Sequence, residues 1–256
     1  MTRKHLAVVV MAAGKGTRMN NPSIAKVMYL ISDKPLIGHV TDLATRVGAS
    51  RTVIVVGWQK DSVIDYLSRS YPDAICVEQE PQLGTGHAVM QAEAALNGFV
   101  GDVLVLSGDV PMLTEATVRN LLAEHQATRA HVTVLTAELP DASGYGRILR
   151  NGDGAVVGII EEKDATSEQR KIREINSGIY VFDKVRLFEA LKHISPENVQ
   201  KEYYLTDLLG YFWKIKGTVH AVIASDPVEI QGINTLEQLE EARMMMGRGS
   251  RDAKPQ

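Results

Sequence analysis

The chain has a single cysteine among 256 residues, Cys76, so it can close no internal disulfide and has no thiolate cluster with which to bind zinc. A reducing, cytoplasmic location is expected. It also lacks an excess of charge: the formal net charge of -3 gives no general attraction to nucleic acid or to anionic lipid, and neither is expected as a partner. Nothing approaches the roughly 18 consecutive apolar residues that a membrane-spanning helix needs. The opening "MTRKHLAVVVMAAGKG" superficially resembles a signal peptide, but its apolar run is short and ends in Gly-Lys-Gly, as a first buried strand would. Internal repeats and low-complexity linkers are missing as well. What is there is ordinary globular composition, 45% hydrophobic and 23% charged, enough to bury one sizeable core.

The first half alternates strands with helices. Leu6–Met11, Arg51–Val56, Asp73–Val77 and Asp102–Ser107 are apolar, β-branched runs that read as strands buried on both faces. Between them, "KPLIGHVTDLATRVGA" opens near Pro35 and stops at Gly48, the usual asymmetry of a helix. "TGHAVMQAEAALNG" and "TEATVRNLLAEHQAT" read likewise, the second with Thr114 as its N-cap. Such alternation predicts a three-layer α/β/α sandwich around a mixed, mostly parallel sheet, a Rossmann-like architecture.

After "HVTVLTAEL" the pattern changes. Tyr145–Glu162 reads as two strands around an "NGDG" turn, and "INSGIYVF" as another strand. Helices are expected over Lys184–His193 and Tyr204–Lys216, then the strand "VHAVIA" and a closing helix from Thr235 to Met246. Residues 1–246 form one domain in this reading: 1–140 the first part, 141–233 the second, 234–246 the closing helix, and 247–256 a flexible tail. The run Met244–Met246 reads as helix packing, and Cys76 as a small buried apolar residue.

"AAGKGTR" follows the first strand, at the sheet edge where open α/β folds bind ligands. Gly14 and Gly16 would let backbone N–H groups approach phosphate oxygens with no Cβ in the way. The loop is neither a Walker A motif, having no Gly-Lys-Ser/Thr at the right spacing, nor a dinucleotide fingerprint, because Met19 stands where a third glycine belongs. On these residues alone a phosphate cradle and a plain tight turn both remain open.

The string "AAGKGTRM", with Lys26 a short way on, resembles the opening motif of sugar-nucleotide pyrophosphorylases. "EQEPQLGTGHAV", "LSGDVPML", "SGYGRILR", "GIIEEKDAT", "EINSGIYVF", "KEYYLTD" and "IQGIN" follow in family order, most similar to the N-terminal uridylyltransferase domain of bacterial bifunctional N-acetylglucosamine 1-phosphate uridyltransferases. The resemblance implies a nucleotidyltransferase that joins UTP and a sugar 1-phosphate, with Mg²⁺ as cofactor. By the same resemblance Ala12, Ala13, Gly14, Gly16 and Thr17 would hold the triphosphate, and Arg18 and Lys26 would be catalytic. Gln79, Gly84 and Thr85 would read the base, Asp109 and Asn234 would hold the metal, and Gly146, Glu161, Asn176, Tyr204 and Thr206 would bind the sugar, with Tyr145 beside them. Several have a plainer reading: surface charge for Arg18 and Lys26, an exposed strand-end amide for Gln79, a turn residue before Pro111 for Asp109, an acidic turn for Glu161, and the N-cap of the closing helix for Asn234.

Two features depart from the family pattern. Ala25 precedes Lys26 where the family writes proline, in a slightly longer loop to which Pro22 could lend rigidity, and no hexapeptide repeat of the acetyltransferase kind follows. Acetyl transfer is therefore not expected, and the oligomeric state stays open. So does the substrate: "GYGRI", "EINSG" and "EYYLTD" favour N-acetylglucosamine 1-phosphate over glucose 1-phosphate or another hexose phosphate, with UTP or dTTP as donor. A nucleotide-sugar binding module without turnover is a rival reading, disfavoured by retention of Arg18, Lys26, Asp109 and Asn234.

Overall fold

The computed structural model describes residues 5–19, 21 and 23–252, the side chains of 248–252 excepted. Pro22 and residues 253–256 of the expected tail lie outside the described residues. The first strand, β1 (His5–Ala12), is followed by a small antiparallel hairpin, β2 (Leu30–Ile31) and β3 (Lys34–Pro35), which leads into α1 (Leu36–Arg46). Next come β4 (Arg51–Val56), α2 (Lys60–Ser70), β5 (Ile75–Glu78), α3 (Thr85–Met90), β6 (Gly101–Ser107), α4 (Glu115–Thr128) and β7 (Val132–Glu138). The second half contains β8 (Arg147–Arg150), β9 (Val156–Ile160), β10 (Glu174–Asp183), α5 (Lys184–Leu191), α6 (Asp207–Lys214), β11 (Val219–Ile223) and α7 (Leu236–Asp252).

The main sheet has the order β11-β7-β10-β6-β1-β4-β5. Along this path the strands run parallel except β10, which lies antiparallel between β6 and β7, and β8 joins the same sheet by antiparallel pairing with β10 and with β9. Successive residues of each strand face opposite layers. Val8, Val10, Ile54 and Leu104 pack with α1, α2 and α4, while Val9, Val53, Val55 and Val103 pack with α3, α5 and α6. This is the expected three-layer sandwich with a mixed, mostly parallel sheet. A smaller cluster of Met19, Ile31, Leu36, Ile233, Leu239 and Ala242 seats α7 beside the first loop.

Several local expectations need correction. β5 is not buried on both faces, because it is the edge of the sheet: Ile75 is 39% exposed and Cys76 only half-buried. α2 falls in a stretch not read as a helix, and α3 stops at Met90, beyond which the chain tightens into shorter-range backbone bonds such as Ala92 N–H to Val89 C=O at 3.0 Å. The closing helix runs on to Asp252 rather than ending at Met246. Of the methionine run only Met246 packs inward, Met244 and Met245 being exposed.

The topology explains why distant motifs meet. The carboxyl ends of β1, β4, β5 and β6 share one edge, and β10, running the other way, brings its amino end to that same edge. Residues after β1, after β5, after β6 and at the start of β10 are therefore neighbours.

Candidate active site

The loop after β1 borders a cleft of about 460 Å³ lined by Ala12, Ala13, Gly14, Lys26, Gln79, Gly84, Thr85 and Asp109. Ala12 and Ala13 are buried at the end of β1, and the Ala13 carbonyl accepts the Trp58 N–H at 3.2 Å. Gly16 has φ +60°, and a Cβ on it would lie 2.6 Å from the Cβ of Lys26. The loop thus rests directly on the lysine stem. Thr17 and Arg18 begin an exposed helical turn.

Lys26 is aimed by its neighbours. Ala25 and Val27 are buried in the core layer below the sheet, so the side chain between them turns to the cleft. Its ammonium group is hydrogen-bonded to Asp109 Oδ2 and donates to Asn234 Oδ1 at 3.0 Å. Arg18 Nη2 donates to the same Asn234 oxygen at 2.9 Å. Asp109 follows β6 at a bend fixed on one side by Gly108 N–H to Met11 C=O (2.9 Å) and on the other by Ile233 N–H to its own carbonyl (2.9 Å). Two cations and two oxygen-bearing side chains, drawn from four separate segments, therefore meet at one point.

Asn234 is not the cap of the last helix. Thr235 takes that part, its hydroxyl accepting the Gln238 N–H at 3.3 Å while Gln238 Oε1 accepts the N–H groups of Asn234 (2.8 Å) and Thr235 (3.2 Å). The Asn234 amide oxygen is left to the cleft, and its Nδ2 donates to the Gly232 carbonyl at 3.1 Å.

Gln79 is buried at the end of β5, where its Nε2 donates to the Gly84 carbonyl at 2.9 Å and lies 3.2 Å from His87 Nδ1. Burial lowers the His87 pKa, which favours the neutral ring. Gly84, at φ +105°, allows close approach to the Tyr203 carbonyl, which a Cβ would meet at 2.6 Å. The Thr85 hydroxyl accepts the Leu205 N–H at 3.0 Å, so this side chain is spent on joining two segments.

On the second side, Gly146 lies between Glu161 and Asn176: an added Cβ would be 3.3 Å from Glu161 Oε2 and 3.5 Å from Asn176 Cβ. Thr206 donates its hydroxyl to Glu161 Oε1 at 3.0 Å. Burial raises the Glu161 pKa above the ordinary carboxylate value. The Tyr204 hydroxyl is buried beside Asp164, and burial together with that negative charge raises its pKa. Tyr145 is half-buried near both Asp109 and Arg18; burial first, then the Asp109 charge, raise its pKa, while Arg18 opposes them.

A family model described as the MobA-like NTP transferase domain matches residues 8–204. The chain belongs to that family. Among curated relatives, Bifunctional protein GlmU of Syntrophotalea carbinolica is 48% identical over 248 residues, covering 97% of this chain and 53% of that protein. The protein of the same name from Streptomyces coelicolor is 47% identical over 242 residues, covering 94% and 50%. The chain thus spans about half the length of these relatives. A solved UDP-glucose pyrophosphorylase complexed with UDP-glucose superposes with a TM-score of 0.77 at 23% identity, covering 96% of this chain and 99% of that one, which establishes a shared fold.

Members of this NTP transferase family generally use a divalent metal, and the residues present fit one. Asp109 and Asn234 offer a carboxylate and an amide oxygen, hard donors that already share one cationic partner in Lys26. Among the described residues no group of three or more His, Cys, Asp or Glu could hold a metal. A cation here would draw its remaining ligands from phosphate and water, the habit of Mg²⁺. No helix among the described residues is long and apolar enough to cross a membrane.

Sequence reasoning missed some of the lining. Gln82 and Glu202 border the cleft, and each sits inside a motif already quoted, "EPQLGTG" and "KEYYLTD". Tyr180, inside "EINSGIYVF", and Gln238 touch site residues from behind, and both are spaced as ordinary strand and helix residues, which points to packing rather than to the site.

Proposed function

We propose that the chain is a cytoplasmic, Mg²⁺-dependent uridylyltransferase that joins UTP to N-acetylglucosamine 1-phosphate and releases pyrophosphate. The carrying observation is the meeting of Arg18, Lys26, Asp109 and Asn234 beside the glycine loop. A binding module has no need of such an arrangement, whereas transfer of a nucleotidyl group does. An oxygen of the sugar phosphate attacks the α-phosphorus, a new P–O bond forms, and the bond to pyrophosphate breaks with its electrons leaving on pyrophosphate. Alignment and charge compensation are the chief contributions such chemistry asks of a protein.

On this reading, amides from Ala12 to Thr17 hold the triphosphate. Gly14 supports this: a Cβ there would meet nothing within 4 Å, so packing does not demand glycine, whereas close approach of a phosphate does. Arg18 compensates the leaving pyrophosphate, and Lys26 draws the α-phosphate and the sugar phosphate together. Mg²⁺ bound by Asp109 and Asn234 would supply further compensation of phosphate charge. Gln79, Gly84 and Thr85 form the base end, while Gly146, Glu161, Asn176 and Thr206 form the sugar end, with Tyr204 behind it. The N-acetylated sugar is favoured by the "GYGRI", "EINSG" and "EYYLTD" motifs.

The test is pyrophosphate release from purified protein with Mg²⁺ and a matrix of UTP, dTTP and CTP against N-acetylglucosamine, glucose and mannose 1-phosphates. UTP with N-acetylglucosamine 1-phosphate is expected to give the highest kcat/KM. Absence of turnover with every pair would reject the enzyme, and a preference for glucose 1-phosphate would reject only the sugar.

A further inference from the structure

Asn176 Oδ1 accepts two hydrogen bonds, from the Gly178 N–H at 3.0 Å and from the Tyr180 hydroxyl at 2.8 Å. Both donors lie on β10, where the pairing with β7 shifts register between Asn176 and Tyr180 and Gly178 takes φ +78°. The bulge folds the strand so that a residue four positions on reaches back to the asparagine. Two donors on one oxygen fix the amide: its carbonyl end is turned into the protein, and Nδ2 is the end left for a ligand.

Tyr180 is buried and so is placed to support Asn176 rather than to meet a ligand. It is 1% exposed, and its ring packs on Phe182 with centroids 5.6 Å apart. Burial and the nearby Glu161 charge keep its hydroxyl protonated, hence a donor. The Asn176 N–H donates to the Gly146 carbonyl at 2.9 Å, so the amide is held a short distance from the Glu161 carboxylate across Gly146. A fixed donor beside a fixed acceptor is a pattern that reads a sugar hydroxyl and its neighbouring substituent.

We propose that Tyr180 is a positioning residue for sugar recognition, acting through Asn176 by holding its Nδ2 toward the ligand. This rests on the proposed function, and the experiment separates the two. Calorimetric Kd values for UDP and for UDP-N-acetylglucosamine are measured on the wild type and on Tyr180→Phe, which keeps the ring and deletes only the donor. The wild type is expected to bind the UDP-sugar more tightly than UDP. In Tyr180→Phe, losing one buried hydrogen bond should weaken the UDP-sugar about tenfold and leave UDP unchanged. Asn176→Asp, which keeps the two accepted bonds but removes Nδ2, should abolish the gain from the sugar with Tyr180 intact. Equal weakening of both ligands by Tyr180→Phe, or of neither, would overturn the positioning role. A wild type that binds UDP and the UDP-sugar alike would instead remove the sugar site, and this role with it.

Discussion

Glycine at position 16 is required twice, by its φ of +60° and by the Lys26 stem, whose Cβ an alanine methyl would meet at 2.6 Å. Gly16→Ala must therefore push the loop and Lys26 apart, and at least a tenfold loss in kcat/KM, about 1.4 kcal/mol, is expected. Gly14→Ala meets nothing in the protein, so its melting temperature should match the wild type while UTP affinity falls. If both variants melt and bind alike, the loop is only a turn. Glu161 offers a different test, through pH. Burial raises its pKa, so between the ordinary carboxylate range and that raised value the folded chain binds more protons than the unfolded one. Stability attributable to Glu161 is thus greatest in acid and declines as pH rises through that window. Glu161→Gln should lack this decline, and the difference in melting temperature between the two proteins should grow with pH; a constant difference would contradict the burial. The sequence reveals such residues by type and motif, yet it cannot reveal whether a given carboxylate is dry, because Thr206 and the strands around Glu161 come from distant segments.

Elements built on β-branched runs were legible because parallel strands covered on both faces admit little but Val, Ile, Leu and Ala, as β1 and β4 do. β5 was legible as a strand but not as an edge, since strand order depends on contacts that no local pattern encodes. α2 escaped because its buried stripe is thin, Val63 and Leu67 alone among its residues being fully covered. The start of α7 shows the same boundary of inference: Asn234 and Thr235 are both good caps, and only the folded chain decides between them. That decision has a consequence for the site. Thr235→Ala removes the cap at a cost of about 1 kcal/mol and loosens the Gln238 contact that also holds the Asn234 N–H. Weaker Mn²⁺ binding in the presence of UTP, measured by electron paramagnetic resonance, should accompany the lower melting temperature. A stability loss with unaltered Mn²⁺ affinity would mean that the cap serves the helix alone.

Besides the pairing of β10 with β6 and β7, the two halves of the molecule meet where the loop before α3 runs beside the segment before α6. Tyr203 N–H donates to the Leu83 carbonyl at 2.8 Å, Gly86 N–H to the Tyr203 carbonyl at 2.8 Å, and Leu205 N–H to the Thr85 hydroxyl at 3.0 Å. No pattern in the sequence announces this seam, because its partners are about 120 positions apart and hydrogen-bond largely through backbone atoms. It nonetheless joins the segment of Gln79 and Gly84, proposed to hold the base, to that of Thr206 and Glu161, proposed to hold the sugar. Gly84 is the tightest point: at φ +105° its missing Cβ would stand 2.6 Å from the Tyr203 carbonyl and 2.9 Å from Glu202 Cβ. Gly84→Ala must part the two segments of the seam, so its cost of about 1–3 kcal/mol in stability should come with damage to both proposed binding regions. KM for UTP and KM for the sugar phosphate are expected to rise together, unlike the sugar-only change expected of Tyr180→Phe. Steady-state kinetics with each substrate varied in turn distinguish the two patterns. If Gly84→Ala raises the UTP constant alone, the seam carries the base loop but does not couple the halves, and the cleft behaves as two independent sites on one sheet edge.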